Sequence, residues 1–250
     1  MKSELLIDTH CHTIASGHAY STVLEIAKEA NNKGLEMVAI TDHGPKMPGG
    51  PHIFHIANQR VIPNKISGVE ILRGVEANIM DYEGNLDVSE YVLKRLDIII
   101  ASLHDICIKP GTKKENTKAL KLAMENEYVD IIAHPGNPQF PIDIEEVVLK
   151  AKETNTLIEI NNGSFHGSRK GSLDNCTEIA RTCKKHGVKV TVGSDSHISY
   201  DVGEFSDVVN IFKEIQMPEE LIMNLSADKL KNYLKEKNKE RFIKIDQSTV

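Results

Sequence analysis

Seven short apolar runs rich in β-branched residues recur along the chain: Leu5–Asp8, Met37–Thr41, Ile71–Val75, Ile98–Ser102, Val129–Ala133, Leu157–Ile160 and Val188–Val192. Between them, apolar residues return at helical spacing over Ser21–Asn32, Ile53–Ile62, Val88–Lys94, Asn116–Asn126, Asp143–Thr154 and Leu173–His186. Phe205–Ile215 and Pro218–Lys235 follow the last run. Strands alternating with helices predict βαβ units and a parallel sheet. Runs such as IIIAS and VTVGS are apolar throughout, as expected when both sheet faces are covered. Ser21 or Thr22 is placed to cap the first helix, with Glu25 completing a capping box. Gly34 and Gly187 mark helix ends. No linker, repeat or low-complexity stretch divides the chain. We expect one α/β domain over residues 1–250, with about 239–250 a polar tail.

The residues that follow each run change the picture. Strand one leads into Asp8-Thr-His10-Cys-His12, with His18 close behind. Later strands lead into His43, Glu76, His104, His134, Glu159-Ile-Asn161 and Asp195-Ser-His197. In a parallel α/β architecture all strand C-termini share one face, where such folds build their sites. Period two then puts His10 and His12 on one side of the strand, with Asp8 on that side and Cys11 on the other. A lone histidine at a strand end is more often a hydrogen-bonded structural residue. Seven histidines and two acids left unpaired on one rim would carry a heavy desolvation cost. We therefore read His10, His12, His18, His43, Glu76, His104, His134, Asp195 and His197 as metal ligands, enough for two or three ions. Nitrogen and carboxylate donors suit Zn, Mn or Fe, with zinc expected first.

Asn161–Gly171 adds Arg169 and Lys170 to that rim. Arg169 offers a bidentate fork for a phosphate oxygen pair. His186, in a Lys-Lys-His-Gly helix end, is read as structural. His52, His55 and His166 have no assigned role.

Composition narrows the class. The chain has 250 residues, a net charge of −6, 11 histidines, no tryptophan and 40 % apolar residues. That suits one α/β barrel and gives no basic footprint, so stable nucleic-acid binding is disfavoured. Cys11, Cys107, Cys176 and Cys183 form no CxxC pair and read as reduced thiols in a cytoplasmic chain. No run approaches a membrane span, and no membrane partner is expected.

The segments DTHCHT, TDHG, GVEAN, SLHD, AHPGNP and GSDSH, with His18, resemble the motifs of the PHP (polymerase and histidinol phosphatase) family. EINNGSF and SRKGSLDNC resemble its YcdX-type probable phosphatase branch. The resemblance implies a distorted (β/α)7 barrel, TIM-barrel-like, with three divalent transition-metal ions. It implies that His10, His12, Glu76 and Asp195 hold one ion, Glu76, His104 and His134 a second, and His18, His43 and His197 a third, with Glu76 bridging. It also implies hydrolysis of a small anionic phosphomonoester by a metal-bridging hydroxide, with Glu76, Asp195 and Arg169 as the catalytic set. The proton donor to the leaving group is left open between a metal-bound water and an acid such as Asp42 or Asp105, and Asp8 is expected to orient a ligand imidazole. The alternatives are a phosphodiesterase or 3′–5′ exonuclease, a barrel amidohydrolase, and a non-catalytic metal-binding module. A homo-oligomer is left open.

Overall fold

A computed structural model describes residues 4–166 and 169–243. Gly167 and Ser168 of the basic loop, and the 244–250 part of the expected tail, lie outside the described residues.

The strands are β1 (Ile7–Cys11), β2 (Met37–Ile40), β3 (Lys65–Ile66), β4 (Val69–Asn78), β5 (Ile98–Ser102), β6 (Ile131–Ile132), β7 (Leu157–Asn161) and β8 (Val190–Gly193). Seven of them run parallel in the order β1-β2-β4-β5-β6-β7-β8. The ends meet at the top. His12 N–H donates to the Ser196 carbonyl and Asp195 N–H to the His10 carbonyl, both at 2.9 Å, so β1 and β8 nearly close a barrel. The eighth strand, β3, was not expected. It is two residues long and pairs antiparallel with β4 through Ser67-Gly68, at φ 51° and 90°. Backbone of that hand fits a tight hairpin, and a two-residue strand has no periodicity to detect.

The helices are α1 (Val23–Asn32), α2 (Ile53–Ala57), α3 (Glu90–Leu93), α4 (Lys113–Ala123), α5 (Ile144–Thr154), α6 (Ser172–His186), α7 (Ser206–Glu214), α8 (Ala227–Glu236) and α9 (Glu240–Ile243). Thr22 caps α1 in the expected box with Glu25. The segment expected as one helix over Pro218–Lys235 is two 3-10 turns followed by α8. Asn224 explains the break. Its side chain bonds to Val192 N and O and to Ile7 O, filling the β1–β8 seam, which a continuous helix would not allow.

Two apolar layers result. Ile7, Met37, Leu72, Ile98, Ile100, Ile131 and Leu157 fill the lower barrel, plugged by Leu230, Tyr233, Leu234 and Phe242 from α8 and α9. Val38, Ile71, Ile99, Ile158, Ile160 and Val192 face outward against the helices. Continuous apolar strands follow from having apolar layers on both faces.

The tail expectation needs correction. Lys239 is only 3 % exposed and pairs with Asp130 at 2.6 Å, Arg241 bridges Asp97 and Glu70, and Phe242 is buried. Residues 239–243 therefore seal the barrel floor. Their polarity misled because Lys239 and Arg241 meet the buried carboxylates of Asp130 and Asp97 rather than water. Among the described residues no helix is long and apolar enough to cross a membrane.

Candidate metal centre at the strand ends

β1 does not keep its alternation. Its pairing with β2 shifts register between Asp8 and Cys11. Ile7 packs in the inner layer and Cys11, four residues on, in the outer one, whereas strict period two would place them on the same side. The irregularity turns both His10 and His12 into the barrel and leaves Asp8 outside. Asp8 accepts from His10 N, Ser194 N, Ser194 Oγ and Gly203 N and touches no imidazole. The expectation that Asp8 orients a ligand is thus corrected: it clamps β1 to the end of β8.

Glu159 does what was expected of Asp8. Its Oε1 lies 2.8 Å from His10 Nδ1, directing His10 Nε2 inward. Three further imidazoles are held in the same manner. His12 Nδ1 meets Ser16 Oγ at 3.1 Å, His104 Nδ1 meets Asn78 Oδ1 at 2.8 Å, and His197 Nδ1 meets the Asp195 carbonyl at 2.9 Å. Fixing one ring nitrogen leaves Nε2 of each as the available donor. Glu159, Ser16 and Asn78 were not assigned from sequence. Only Glu159 carried a signal, a charge inside the apolar run LIEIN that must find a buried partner.

The inward atoms converge. His10 Nε2 lies 3.0 Å from His12 Nε2, 3.3 Å from Glu76 Oε2 and 3.6 Å from Asp195 Oδ1. His12 Nε2 lies 3.4 Å from Glu76 Oε2 and 3.2 Å from Asp195 Oδ1. Donors on one tetrahedral zinc, at 2.0–2.2 Å each, stand roughly 3.3–3.5 Å apart. Five of the six separations among these four atoms are therefore close to those of one coordination shell. The second Glu76 oxygen, Oε1, faces His134 Nε2 at 2.8 Å and His104 Nε2 at 3.3 Å. His18 stacks on His43 and leans on His197, with ring centroids 5.0 and 4.8 Å away. All nine expected residues are thus gathered. Donor trios whose atoms lie within 4.8 Å of one another join His12 with His43 and His197, His10 with His12 and Glu76, and His43 with Glu76 and His104. The first and third cross the three-ion assignment, because His43 stands between both groups.

Glu76 Oε2 and His43 Nδ1, 2.7 Å apart, are both buried and neither makes a hydrogen bond. An unsatisfied buried polar atom costs about 1–3 kcal/mol, which a cation among these donors would relieve. His134 and Asp195 adopt φ of 33° and 56°, uncommon for residues with a Cβ, and both offer donors here.

The electrostatics point the same way. Burial alone would raise the Glu76 carboxyl, but His10, His104 and His43 outweigh it and hold it well below its usual range. Asp195 is likewise held well below by Arg169, His10 and His12 against its burial. Burial lowers His12 to about 3, and burial with Arg169 lowers His134 to about 4. His10 runs opposite: burial would lower it, but Glu159, Asp195 and Glu76 raise it well above the ordinary value. One imidazole thus gathers the positive charge that the surrounding carboxylates demand.

Arg169 reaches the rim, where its Nη2 pairs with Asp195 Oδ2 and its Nε meets Ser164 Oγ at 3.1 Å. Lys170 is exposed. Exposed His166 pairs with Asp207, His186 with Glu145, and His52 caps α2 through Phe54 N, all outside the cluster. Cys11 is buried on the outer side and Asp105 is exposed. Asp42 is not available as an acid. Burial would raise it, but His55, His12, Ser16 and Thr13 bring it down to about 2, so it is an anion whose oxygens accept from Thr13 N, Thr13 Oγ1 and Ser16 Oγ.

The family model described as RNase P subunit p30 matches residues 5–237. A probable phosphatase of Caldanaerobacter subterraneus subsp. tengcongensis is 60 % identical over 240 residues, covering 96 % of this chain and 94 % of that one. A probable phosphatase of Acetivibrio thermocellus is 58 % identical, covering 95 % and 98 %. Among solved structures, a histidinol phosphate phosphatase of Lactococcus lactis, complexed with zinc, L-histidinol and phosphate, superposes with a TM-score of 0.61 at 17 % identity, covering 86 % of this chain and 95 % of that one. A chain of an archaeal ribonuclease P bound to mature tRNA superposes at 0.54 and 16 % identity, covering 98 % and 94 %.

Proposed function

We propose, from the premise that this chain belongs to the RNase P subunit p30 family and stands among close relatives named probable phosphatases, that it is a metal-dependent hydrolase of phosphomonoesters. The observation that carries the reading is the Glu76-centred cage, in which His10 and His12 Nε2 each stand 3.2–3.6 Å from both Glu76 and Asp195. The relatives' names supply the bond to be broken. The zinc, histidinol and phosphate in the L. lactis enzyme support the same chemistry on the same fold. The motif resemblance to the PHP family and its YcdX-type branch fits both.

In this reading His10, His12, Glu76 and Asp195 hold one ion. Glu76, His104 and His134 hold a second, and His18, His43 and His197 a third. Glu76 serves two sets because its two oxygens face different histidine pairs. Zinc is the first choice. Bound ions would supply Lewis acidity toward phosphate oxygens and a water of lowered pKa.

The remaining work belongs to the chain. Arg169 keeps its charge: burial opposes it, but Asp195, Glu76 and Glu159 raise its pKa. In this reading its guanidinium would neutralise the charge that builds on phosphate oxygens during transfer. Ser164 Oγ holds Nε and so aims the fork. Asp42 and Ser16 orient His12 without taking part in proton transfer. The buried floor beneath the cage excludes water from behind the reacting group.

A phosphodiesterase or nuclease reading is favoured by the family match alone and opposed by the net charge of −6. Metal analysis of chelator-free protein should find two to three transition ions per chain. Hydrolysis of p-nitrophenyl phosphate, its bis ester and single-stranded DNA separates the readings. Activity on the bis ester or DNA without the monoester would overturn ours.

A further inference from the structure

One heavily committed side chain beneath the cage is left out of the three-ion assignment. Glu159 is 1 % exposed and lies two residues past inner-layer Leu157 on β7, so it points into the barrel beneath the donors. Its Oε1 accepts from His10 Nδ1 at 2.8 Å. Its Oε2 accepts from His134 N–H at 2.9 Å and from Asn161 Nδ2 at 3.0 Å. Asn161 Nδ2 also reaches Asp195 Oδ2 at 3.4 Å. One carboxylate therefore touches, directly or through one amide, donors on β1 and just past the ends of β6 and β8.

The contacts are of different kinds. At His10, the carboxylate fixes the tautomer and aims Nε2 at Glu76 and Asp195. At His134 it grips the backbone, at φ 33°, which has no intrinsic preference for that hand. Releasing the His134 N–H would let the residue relax and swing its imidazole off Glu76 Oε1. Gly193 shows that space has been cleared for this carboxylate, because a Cβ there would overlap both Glu159 Oε1 and His10 Cβ.

We infer that Glu159 is a positioning residue that sets the donor geometry of two neighbouring ion sites at once, coupling the loading of the His10 set to that of the His134 set. This rests on the metal reading above. Because His10 and His134 belong to different sets, disturbing Glu159 weakens both, whereas disturbing a terminal donor such as His104 weakens one.

The test is a competitive chelator titration of zinc on wild type, Glu159→Gln and His104→Ala, with Tm measured metal-free and loaded. Glu159→Gln keeps the shape but loses the charge and one acceptor. We expect two ion sites to weaken together by about 10- to 100-fold, and the metal-induced rise in Tm to shrink. His104→Ala should weaken one. A role confined to packing would lower both Tm values equally and leave the rise and the affinities intact, which overturns the inference. Should Glu159→Gln not fold, Glu159→Asp carries the comparison, keeping the charge while drawing the carboxylate back from His10 and His134. Wild-type protein that takes up no zinc overturns the metal reading itself, and wild-type affinity in a folded variant overturns the Glu159 assignment alone.

Discussion

His43 Nδ1 and Glu76 Oε2 stand 2.7 Å apart in the barrel mouth, and neither makes a hydrogen bond. Around that pair the remaining donors are arranged, and Glu76 is the residue whose loss should be felt most widely. Glu76→Gln keeps the shape and removes the charge that draws His10, His12, His43, His104 and His134 inward. We expect the metal content to fall by two ions per chain and kcat to drop at least about 1,000-fold, checked by elemental analysis and p-nitrophenyl phosphate hydrolysis.

Arg169 serves a different end. It pairs with Asp195 and is aimed by Ser164, but it is not a donor to any ion. Arg169→Ala should retain the metals and raise KM for the monoester by roughly 10-fold, with a smaller effect on kcat. Unchanged KM and kcat would remove it from the site.

Acid should loosen the frame before it touches the barrel floor. Asp42 is lowered from 3.8 to about 2 in the fold. A carboxylate with a depressed folded pKa contributes stability above its unfolded value and loses it as pH falls through the folded one. The contribution, on the order of 2 kcal/mol, is present above about pH 4 and fades toward pH 2. Metal-free Asp42→Asn should therefore be less stable than wild type at pH 6 and nearly equal to it at pH 2 in urea titrations.

Gly17 should prove irreplaceable. It has φ 81°, and a Cβ there would overlap the Gly49 carbonyl oxygen. That contact packs the Pro/Gly loop after β2 against the turn that carries His18. Gly17→Ala should cost about 1–3 kcal/mol by thermal unfolding and weaken one ion site out of proportion to the others.

Lys239→Ala tests the floor. It would leave Asp130, which is fully buried and whose carboxyl burial already pushes up despite Lys239, without its cation. A loss of about 3 kcal/mol is expected in denaturant unfolding. A change within about 0.5 kcal/mol would mean that this segment is held elsewhere.

The sequence by itself determined the architecture and the rim. Apolar runs with helical segments between them can bury both strand faces only in a parallel sheet flanked by helices, and parallel strands put all their C-termini on one face. The gathering of His10, His12, Glu76, His104, His134, Asp195 and His197 follows from that rule, because it needs only to know where each strand ends. His18 and His43 came with the same reading. What it could not supply was anything that depends on one strand's exact phase or on a partner far along the chain. The register shift after Asp8 is a backbone irregularity with no residue signature, and it moved Asp8 from the site to the seam. Glu159 meets His10 across 149 positions, and Lys239 meets Asp130 across the barrel floor. Hydrogen bonds and ion pairs act over about 3 Å in space, while sequence patterns report spacing along the chain. The donors were therefore legible from the strands that carry them, and the residues that aim those donors were decided only when the barrel closed.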